Sequence, residues 1–258
     1  MEKNIETAII ASLLAGNAIM EIYSLADLGV ETKSDNSPIT LADKAAHHII
    51  CEKLEATNIP ILSEEGNNTD YETRKKWDKF WLVDPLDGTK EFIKRTGEFT
   101  VNIALIENQV PIMGVVYVPV SKTLYYTDEK NAFRATNISS ISEITSLSQK
   151  LPQQTEHNTF NVVASVSHIN AETQEFIQQL DTKGKKLNIV NRGSSLKLCM
   201  VAEGSADCYP RLGPTMEWDT AAGHAIVLKA GKTIVQLPNK SPMIYNKESL
   251  LNPWFLVY

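Results

Sequence analysis

The sequence predicts an α+β protein, and three patterns in its 258 residues support this. Helical periodicity comes first, a run of short strands follows, and the C-terminal part alternates strands with helices. Hydrophobic residues make up 43% of the chain, enough to bury a large core as one domain or as two lobes that share an interface. Residues 136–159 are rich in Ser, Thr, Asn and Gln. We therefore expect one lobe at 1–150 and another at 151–258.

The N-terminal segments predict two helices. Apolar residues recur at three- and four-residue steps over 3–24, which is typical of an amphipathic helix. A polar connection at 31–39 leads to Thr40, which opens the second helix. Thr40 and Asp43 have the spacing of a capping box, and helix capping alone would explain Asp43.

The next segments predict a sheet. A short strand at 59–62 is followed by the acids Glu64 and Glu65, and the polar stretch 66–79 predicts a loop with a helical turn. The apolar run from Phe80 predicts a buried strand that ends at Asp84. Short turns then separate four strands of an antiparallel meander, at 99–106, 112–118, 124–127 and 132–135.

The C-terminal part predicts helices packed on a second sheet. Its strands are expected at 161–166, 187–190, 206–209 and 233–236, and its helices at 171–180, 195–202 and 219–230. Ser194 and Ser195 stand at the start of a helix that carries Lys197, a place where an anionic or sugar group can bind, although simple N-capping is the preferred explanation of the serines taken alone. Asp219 taken alone is also explained as a helix cap.

The composition limits the classes of function. The 25 basic and 31 acidic residues give a net charge of -6 without a basic block, which argues against binding to a nucleic acid backbone. Three cysteines without C-x-x-C spacing indicate neither a disulfide framework nor a zinc cluster, in keeping with the cytoplasm. We expect no signal peptide and no transmembrane segment of about 20 apolar residues. Peripheral attachment to the inner membrane and a homo-oligomer stay open.

The stretch from Asp84 to Thr89 carries the strongest chemical signal. Its two carboxylates lie on one short turn and repel each other, and a bound cation or a shared proton would relieve this. Carboxylates with a carbonyl oxygen suit Mg2+. Gly88 and Thr89 follow at a helix start, where backbone amides suit phosphate. The alternative is an ordinary surface turn built of Asp, Pro and Gly.

Several stretches resemble the signatures of the inositol monophosphatase superfamily, and within it the bacterial CysQ-type 3'(2'),5'-bisphosphate nucleotidases. The principal ones are Ser63-Glu64-Glu65, the run from Trp81 to Phe92, and Trp218 to Gly223, with support at 35–40, 97–105, 193–197 and 209–211. The likeness covers nearly the whole chain in order. It implies the layered α-β-α-β-α sandwich of the inositol monophosphatase and fructose-1,6-bisphosphatase type, with Mg2+ as cofactor and sensitivity to Li+.

The resemblance also implies roles for individual residues. The metal ligands would be Glu64, Asp84, the carbonyl of Leu86, Asp87 and Asp219. Asp43 and Thr89 would orient the attacking water as catalytic residues together with Glu64, and Glu65 would be a nearby helper. The substrate would contact Gly88, Thr89, Ser194, Lys197, Arg211 and Asp219, with Ser167-His168 near the same pocket.

The expected substrate is a small nucleotide bisphosphate. The resemblance implies hydrolysis of adenosine 3',5'-bisphosphate to AMP and phosphate, with 3'-phosphoadenylyl sulfate as a second candidate, as by-product clearance in sulfate assimilation. One alternative is an inositol mono- or bisphosphate phosphatase with the same metal core. The other is a metal-dependent nucleotide-binding protein without turnover.

Overall fold

The computed structural model describes residues 3–33, 36–67, 69–153, 158–165 and 170–258. The helices are α1 (Lys3–Tyr23), α2 (Leu41–Glu55), α3 (Tyr71–Arg74), α4 (Thr89–Ile93), α5 (Ile144–Leu147), α6 (Ala171–Gln178), α7 (Leu196–Glu203) and α8 (Glu217–Lys229). The strands are β1 (Glu31–Thr32), β2 (Pro38–Ile39), β3 (Ile61–Ser63), β4 (Lys79–Asp87), β5 (Thr100–Glu107), β6 (Val110–Val118), β7 (Thr123–Thr127), β8 (Ala132–Ala135), β9 (Ser148–Lys150), β10 (Thr159–Ser165), β11 (Lys186–Arg192), β12 (Tyr209–Arg211), β13 (Ile234–Gln236) and β14 (Phe255–Val257).

A seven-stranded sheet forms the centre of the fold, in the order β3-β4-β5-β6-β7-β8-β9. Its β3 and β4 run parallel, and every later pair is antiparallel, which confirms the predicted meander. β9 lies inside the polar stretch that we expected to connect the lobes. Its sequence is polar because it is an exposed edge strand that buries little apolar surface. The lobe boundary after residue 150 stays a prediction.

Strand β4 ends later than predicted. The expectation that it ends at Asp84 was wrong, because the strand continues through Pro85 to Asp87. Asp84 pairs with Asn102 and Asp87 pairs with Thr100, with a register shift between these two pairs. Proline is tolerated at such an irregularity because no ladder hydrogen bond needs its missing N–H. Both carboxylates therefore lie on the sheet, at its bulged end.

The two faces of this sheet bury two separate cores. Trp81 and Val83 pack on one face with α1 and α2, whereas Phe80 and Leu82 pack on the other with α7 and α8. This alternation follows from the two-residue period of a strand. A third, smaller core joins Val162 of β10 to α6, on the far side of the second sheet. The layers are α-β-α-β-α, as the predicted fold class requires.

The second sheet consists of a parallel pair, β10–β11, and a three-stranded part in the order β12-β14-β13. A bridge between Val162 and Cys208 connects these two parts. The predicted strands and helices of this region are confirmed with shifted ends, and β14 between β12 and β13 is an addition. Residue 166, the pair Ser167-His168 and Asp35 lie outside the described residues.

The expectation that no segment is apolar enough to span a membrane does not hold for the first helix. By length and composition alone, α1 is long and apolar enough to cross a membrane. Half of that stretch is nevertheless buried inside the fold. Ile5, Ile9 and Ile19 belong to the core shared with α2 and the central sheet. Its apolar character is thus accounted for by packing within the outer helical layer.

Candidate active site

A cavity of about 440 Å³ opens where the bulged end of β4 meets the starts of α4, α7 and α8. It collects nearly all the predicted site residues: Glu64, Asp84, Leu86, Asp87, Gly88, Thr89, Ser194, Lys197, Arg211 and Asp219. Asp43 lies behind this lining and bonds to Thr89. Residues predicted from widely separated segments are thus brought to one place.

The acidic side chains that line the cavity are buried or half-buried, and they repel one another. Burial raises the pKa of Asp84 well above its usual range, and the charges of Glu64, Asp87 and Asp219 raise it further. Burial, and then the charge of Asp87, raise the pKa of Asp219 to about 8. Asp84 also shares a hydrogen bond with Glu64. Buried oxygen donors in this state fit a hard divalent cation, because the ion would offset their repulsion.

Glu64 is paired with a lysine that the sequence analysis missed. Nζ of Lys33 lies 2.8 Å from Glu64 Oε1 and also contacts Glu65. Burial lowers the pKa of Lys33, but the bonds to both glutamates outweigh this and hold it above its usual value. In the described part of the chain, no three His, Cys, Asp or Glu side chains form a ready metal cluster. The ammonium group acts as the counter-ion of Glu64 in this arrangement.

Asp43 uses its two oxygens for different purposes. Oδ2 accepts hydrogen bonds from the backbone N–H of Thr40 at 2.7 Å and from the Thr40 hydroxyl at 2.6 Å, which confirms the capping box. Oδ1 accepts from the Thr89 hydroxyl at 3.1 Å. Burial raises the pKa of Asp43. The capping role and a role in the site are therefore compatible, one at each oxygen.

Gly88 allows the start of α4 to lie close to Ser194, in the segment before α7. Its φ is +96°, a backbone conformation that residues other than glycine rarely adopt. A Cβ at this position would lie 3.1 Å from the Glu98 carbonyl oxygen and 3.3 Å from Cβ of Ser194. The absence of a side chain thus brings Thr89 and Ser194 together at one cavity.

The cavity is also lined by cationic and unpaired polar groups. Lys197 is 6% exposed, donates to the Ser194 carbonyl at 2.6 Å and lies over the Tyr209 ring. Burial lowers its pKa to about 8, against the opposing effect of Asp87. The Ser194 hydroxyl and the Arg211 Nε are buried without a hydrogen-bond partner among the described residues. Such unpaired groups favour an anionic ligand.

Two further polar residues join the site: Asn102 was not predicted as a site residue, and Ser195 was predicted only as part of a helix start that can bind an anionic or sugar group. Asn102 lies on β5, and Ser195 precedes α7; both are at most 2% exposed. Their side chains hydrogen-bond to each other at 2.9 Å and to Asp87. The signal for Asn102 was present in the sequence, because Thr100 and Asn102 interrupt an otherwise apolar, fully buried strand.

The family model of the inositol monophosphatase family matches residues 1–254. The chain belongs to the inositol monophosphatase family. It is 48% identical over 247 residues to the 3'(2'),5'-bisphosphate nucleotidase CysQ of Shigella flexneri, and 46% identical over 247 residues to that of Escherichia coli strain K12. In both comparisons the match covers 94% of each chain. The predicted resemblance is confirmed.

Solved structures of the inositol monophosphatase family share the fold. The crystal structure of CysQ from Bacteroides thetaiotaomicron matches with a TM-score of 0.91 and 48% identity, covering 100% of this chain and 97% of that one. The suhB protein of Bartonella henselae matches with a TM-score of 0.74 at 22% identity, over 97% and 91% of the two chains, and shows the fold alone. The layered architecture is therefore that of the family.

Proposed function

We propose that this inositol monophosphatase family member is a 3'(2'),5'-bisphosphate nucleotidase that converts adenosine 3',5'-bisphosphate to AMP and phosphate. The observation that carries the proposal is one cavity lined by Glu64, Asp84, Asp87 and Asp219 together with Lys197 and Arg211. The names of relatives at 46 to 48% identity support it. By-product clearance in sulfate assimilation is the proposed role, with 3'-phosphoadenylyl sulfate as a second candidate substrate.

Mg2+ is the proposed cofactor. The side chains of Glu64, Asp84, Asp87 and Asp219 and the Leu86 carbonyl would hold it, since hard oxygen donors suit this ion. The fit rests on burial and mutual repulsion of the acids, which raise the pKa values of Asp84 and Asp219. When bound, Mg2+ supplies the positive charge that a phosphate monoester dianion needs before a water can attack it.

The chain's own residues would orient the water and accept its proton. The Thr89 hydroxyl donates to Asp43 Oδ1, so its oxygen lone pairs can accept a hydrogen bond from a water on the cavity side. Proton transfer would then run from the water to Thr89 Oγ1 and from Thr89 to Asp43. The raised pKa of Asp43 makes its carboxylate a stronger base for this step. The Gly88 and Thr89 amides are proposed to hold the phosphoryl oxygens.

Ser194, Lys197 and Arg211 would recognise the rest of the substrate. The unpaired Ser194 hydroxyl and Arg211 Nε offer donors for a second phosphate, and the ammonium of Lys197 adds charge. Pro214, Met216 and Leu251 also line the cavity, and Leu251 is 49% exposed. A nucleobase has apolar faces that such a rim can cover. These features favour a nucleotide bisphosphate over an inositol monophosphate.

The rival functions predict different chemistry. An inositol phosphatase would use the same acids but would gain less from the cationic side chains of Lys197 and Arg211 in the same cavity. A protein that only binds nucleotides would have no use for the hydrogen-bonded pair of Asp43 and Thr89. We place the enzyme in the cytoplasm. Peripheral membrane attachment and a homo-oligomer gain no support from the described residues.

The deciding experiment measures phosphate release from adenosine 3',5'-bisphosphate and from inositol 1-phosphate, each with Mg2+ and with a chelator. We expect a strong preference for the nucleotide and loss of activity on chelation. Preference for the inositol ester would keep the metal chemistry and discard the proposed substrate. No release from either compound would favour the binding protein.

A further inference from the structure

Ser195 has a hydroxyl that does not cap its helix. It is the N-cap residue of α7, yet its side chain makes no capping hydrogen bond. The sequence-based explanation by N-capping is therefore wrong for this serine. The hydroxyl is instead engaged elsewhere, which indicates that its other contacts are the reason for a serine here.

Those contacts join both halves of the proposed metal site. Ser195 Oγ lies 2.9 Å from Asp87 Oδ2 and 2.8 Å from the backbone oxygen of Asp219. A hydroxyl has a single proton, so it donates to one of these acceptors at a time. The backbone N–H of Ser195 donates to Asp87 as well. One residue thus connects the bulged end of β4 to the first turn of α8.

Asn102 fixes the orientation of this junction. Its Nδ2 donates to Ser195 Oγ at 2.9 Å and to Asp87 Oδ2 at 3.3 Å. Its Oδ1 accepts from the Thr100 hydroxyl at 2.9 Å, which determines which way the amide faces. Thr100, Asn102 and Ser195 are each at most 2% exposed. Water therefore cannot replace a missing partner without entering the core.

We propose that Ser195 and Asn102 are positioning residues that hold the Asp87 carboxylate and the Asp219 backbone in the arrangement that binds the cation. The inference rests on the metal centre of the proposed function and adds two residues to it. Hydrogen bonds from neighbouring residues orient metal ligands, and their loss typically weakens metal binding by about 10- to 100-fold. In this role both residues act through Asp87 and the Asp219 backbone, so their effect is on ion binding.

The test is titration calorimetry of Mg2+ into the full chain without substrate. Ser195→Ala and Asn102→Ala should each weaken Mg2+ binding by about 10- to 100-fold. The double variant should lose less than the product of the two single losses, because both substitutions break the same network. Substrate is absent, so a wrong substrate assignment would leave these results unchanged. A wild-type chain that binds no Mg2+ would overturn the metal centre and this proposal together.

Matched controls separate positioning from general destabilisation. Ser12→Ala removes a buried hydroxyl from α1, and Asn161→Ala removes a buried amide from β10. Both should lower the melting temperature in chelator while leaving the Mg2+ dissociation constant within threefold of the wild type. If Ser195→Ala and Asn102→Ala behave as these controls do, the proposal is overturned. Should Asn102→Ala fail to fold, Ser195→Ala alone decides, because it removes a single oxygen atom.

Discussion

The Thr89 hydroxyl donates a hydrogen bond to Asp43 Oδ1 across 3.1 Å and so joins the start of α4 to the start of α2. Thr89→Val keeps the shape of the side chain but removes the hydroxyl. We expect kcat to fall by about 10²- to 10⁴-fold, the usual contribution of general acid–base groups. The Mg2+ affinity should change little, and steady-state kinetics with a Mg2+ titration measures both quantities.

Thr89→Ser is the control for this prediction, since it restores the hydroxyl without the methyl group. It should retain most of the activity of the wild type. Equal activity in the serine and valine variants would mean that the hydroxyl takes no part in activating the water.

Lys33→Met should make the site more dependent on its cation. The substitution removes the counter-ion that lies 2.8 Å from Glu64 and keeps the length of the side chain. Without Mg2+ the melting temperature should fall, because the acids then repel one another without compensation. On addition of Mg2+ it should rise by more than in the wild type. Lys44→Met is a matched control, because the Lys44 pair with Glu31 is exposed. An unchanged response to Mg2+ would contradict the counter-ion role.

Asp84→Asn should abolish turnover while leaving the fold intact. The variant removes a proposed ligand at nearly constant size and also removes a buried acid whose pKa is raised by burial and by three neighbouring carboxylates. The melting temperature in chelator should therefore be equal to or above that of the wild type, and the increase caused by Mg2+ should be lost. Scanning fluorimetry with and without Mg2+ tests this. Full activity at limiting Mg2+ would refute the assignment of Asp84 as a ligand.

Arg211→Gln should separate the two candidate substrates. A hydrogen bond to a charged group contributes about 1.5–3 kcal/mol, so KM for adenosine 3',5'-bisphosphate should rise by about 10- to 100-fold. KM for inositol 1-phosphate should change little, because that ester lacks a second phosphate. Arg192→Gln is the control, since the Arg192 side chain is exposed and pairs with Glu98. A parallel rise for both substrates would show that Arg211 acts on the shared phosphate site.

His224 should make the protein less stable in acid. Its Nδ1 lies 2.9 Å from the Tyr245 hydroxyl, and burial lowers its pKa to about 3. The unfolded chain, with a histidine pKa of about 6.5, binds the extra proton between these values. Stability is therefore complete above pH 6.5 and falls towards pH 3, at about 1.4 kcal/mol per pH unit from this group. Denaturant titrations at a series of pH values give the unfolding free energy at each pH. Between pH 3 and 6.5, its change per pH unit should be smaller by this amount in His224→Gln.

Much of the fold follows from local pattern. The apolar runs of β4 to β8, with short turns between them, and the helical periodicity of α1 reflect burial of apolar side chains, which the sequence displays directly. β9 and β14 were missed for a different reason. An exposed edge strand such as β9 buries little, and β14 is defined by where it inserts between β12 and β13. Tertiary pairing, and not local preference, determines such strands.

The site shows the same division. The acids were found because they carry an ordered set of motifs, and the structure brings them to one cavity. Lys33 and Asn102 were missed as site residues, and the bond from Ser195 to Asp87 was not foreseen, because these roles depend on partners far away in sequence. Asn102 bonds to a residue 93 positions later, for example. Only the folded chain shows that its amide and the Ser195 hydroxyl meet.

Asp84 and Asp87 lie on β4 of the seven-stranded sheet, in the first half of the chain, whereas Asp219 lies on α8, near the end of the chain. During synthesis, the four acids can therefore come together only after the C-terminal segment has left the ribosome and docked on the sheet. An ion bound there would join early and late parts of the chain. Mg2+ should accordingly protect the α8 region from proteases more than it protects α1. A chain truncated before α8 should bind the ion poorly, whatever the state of its remaining core.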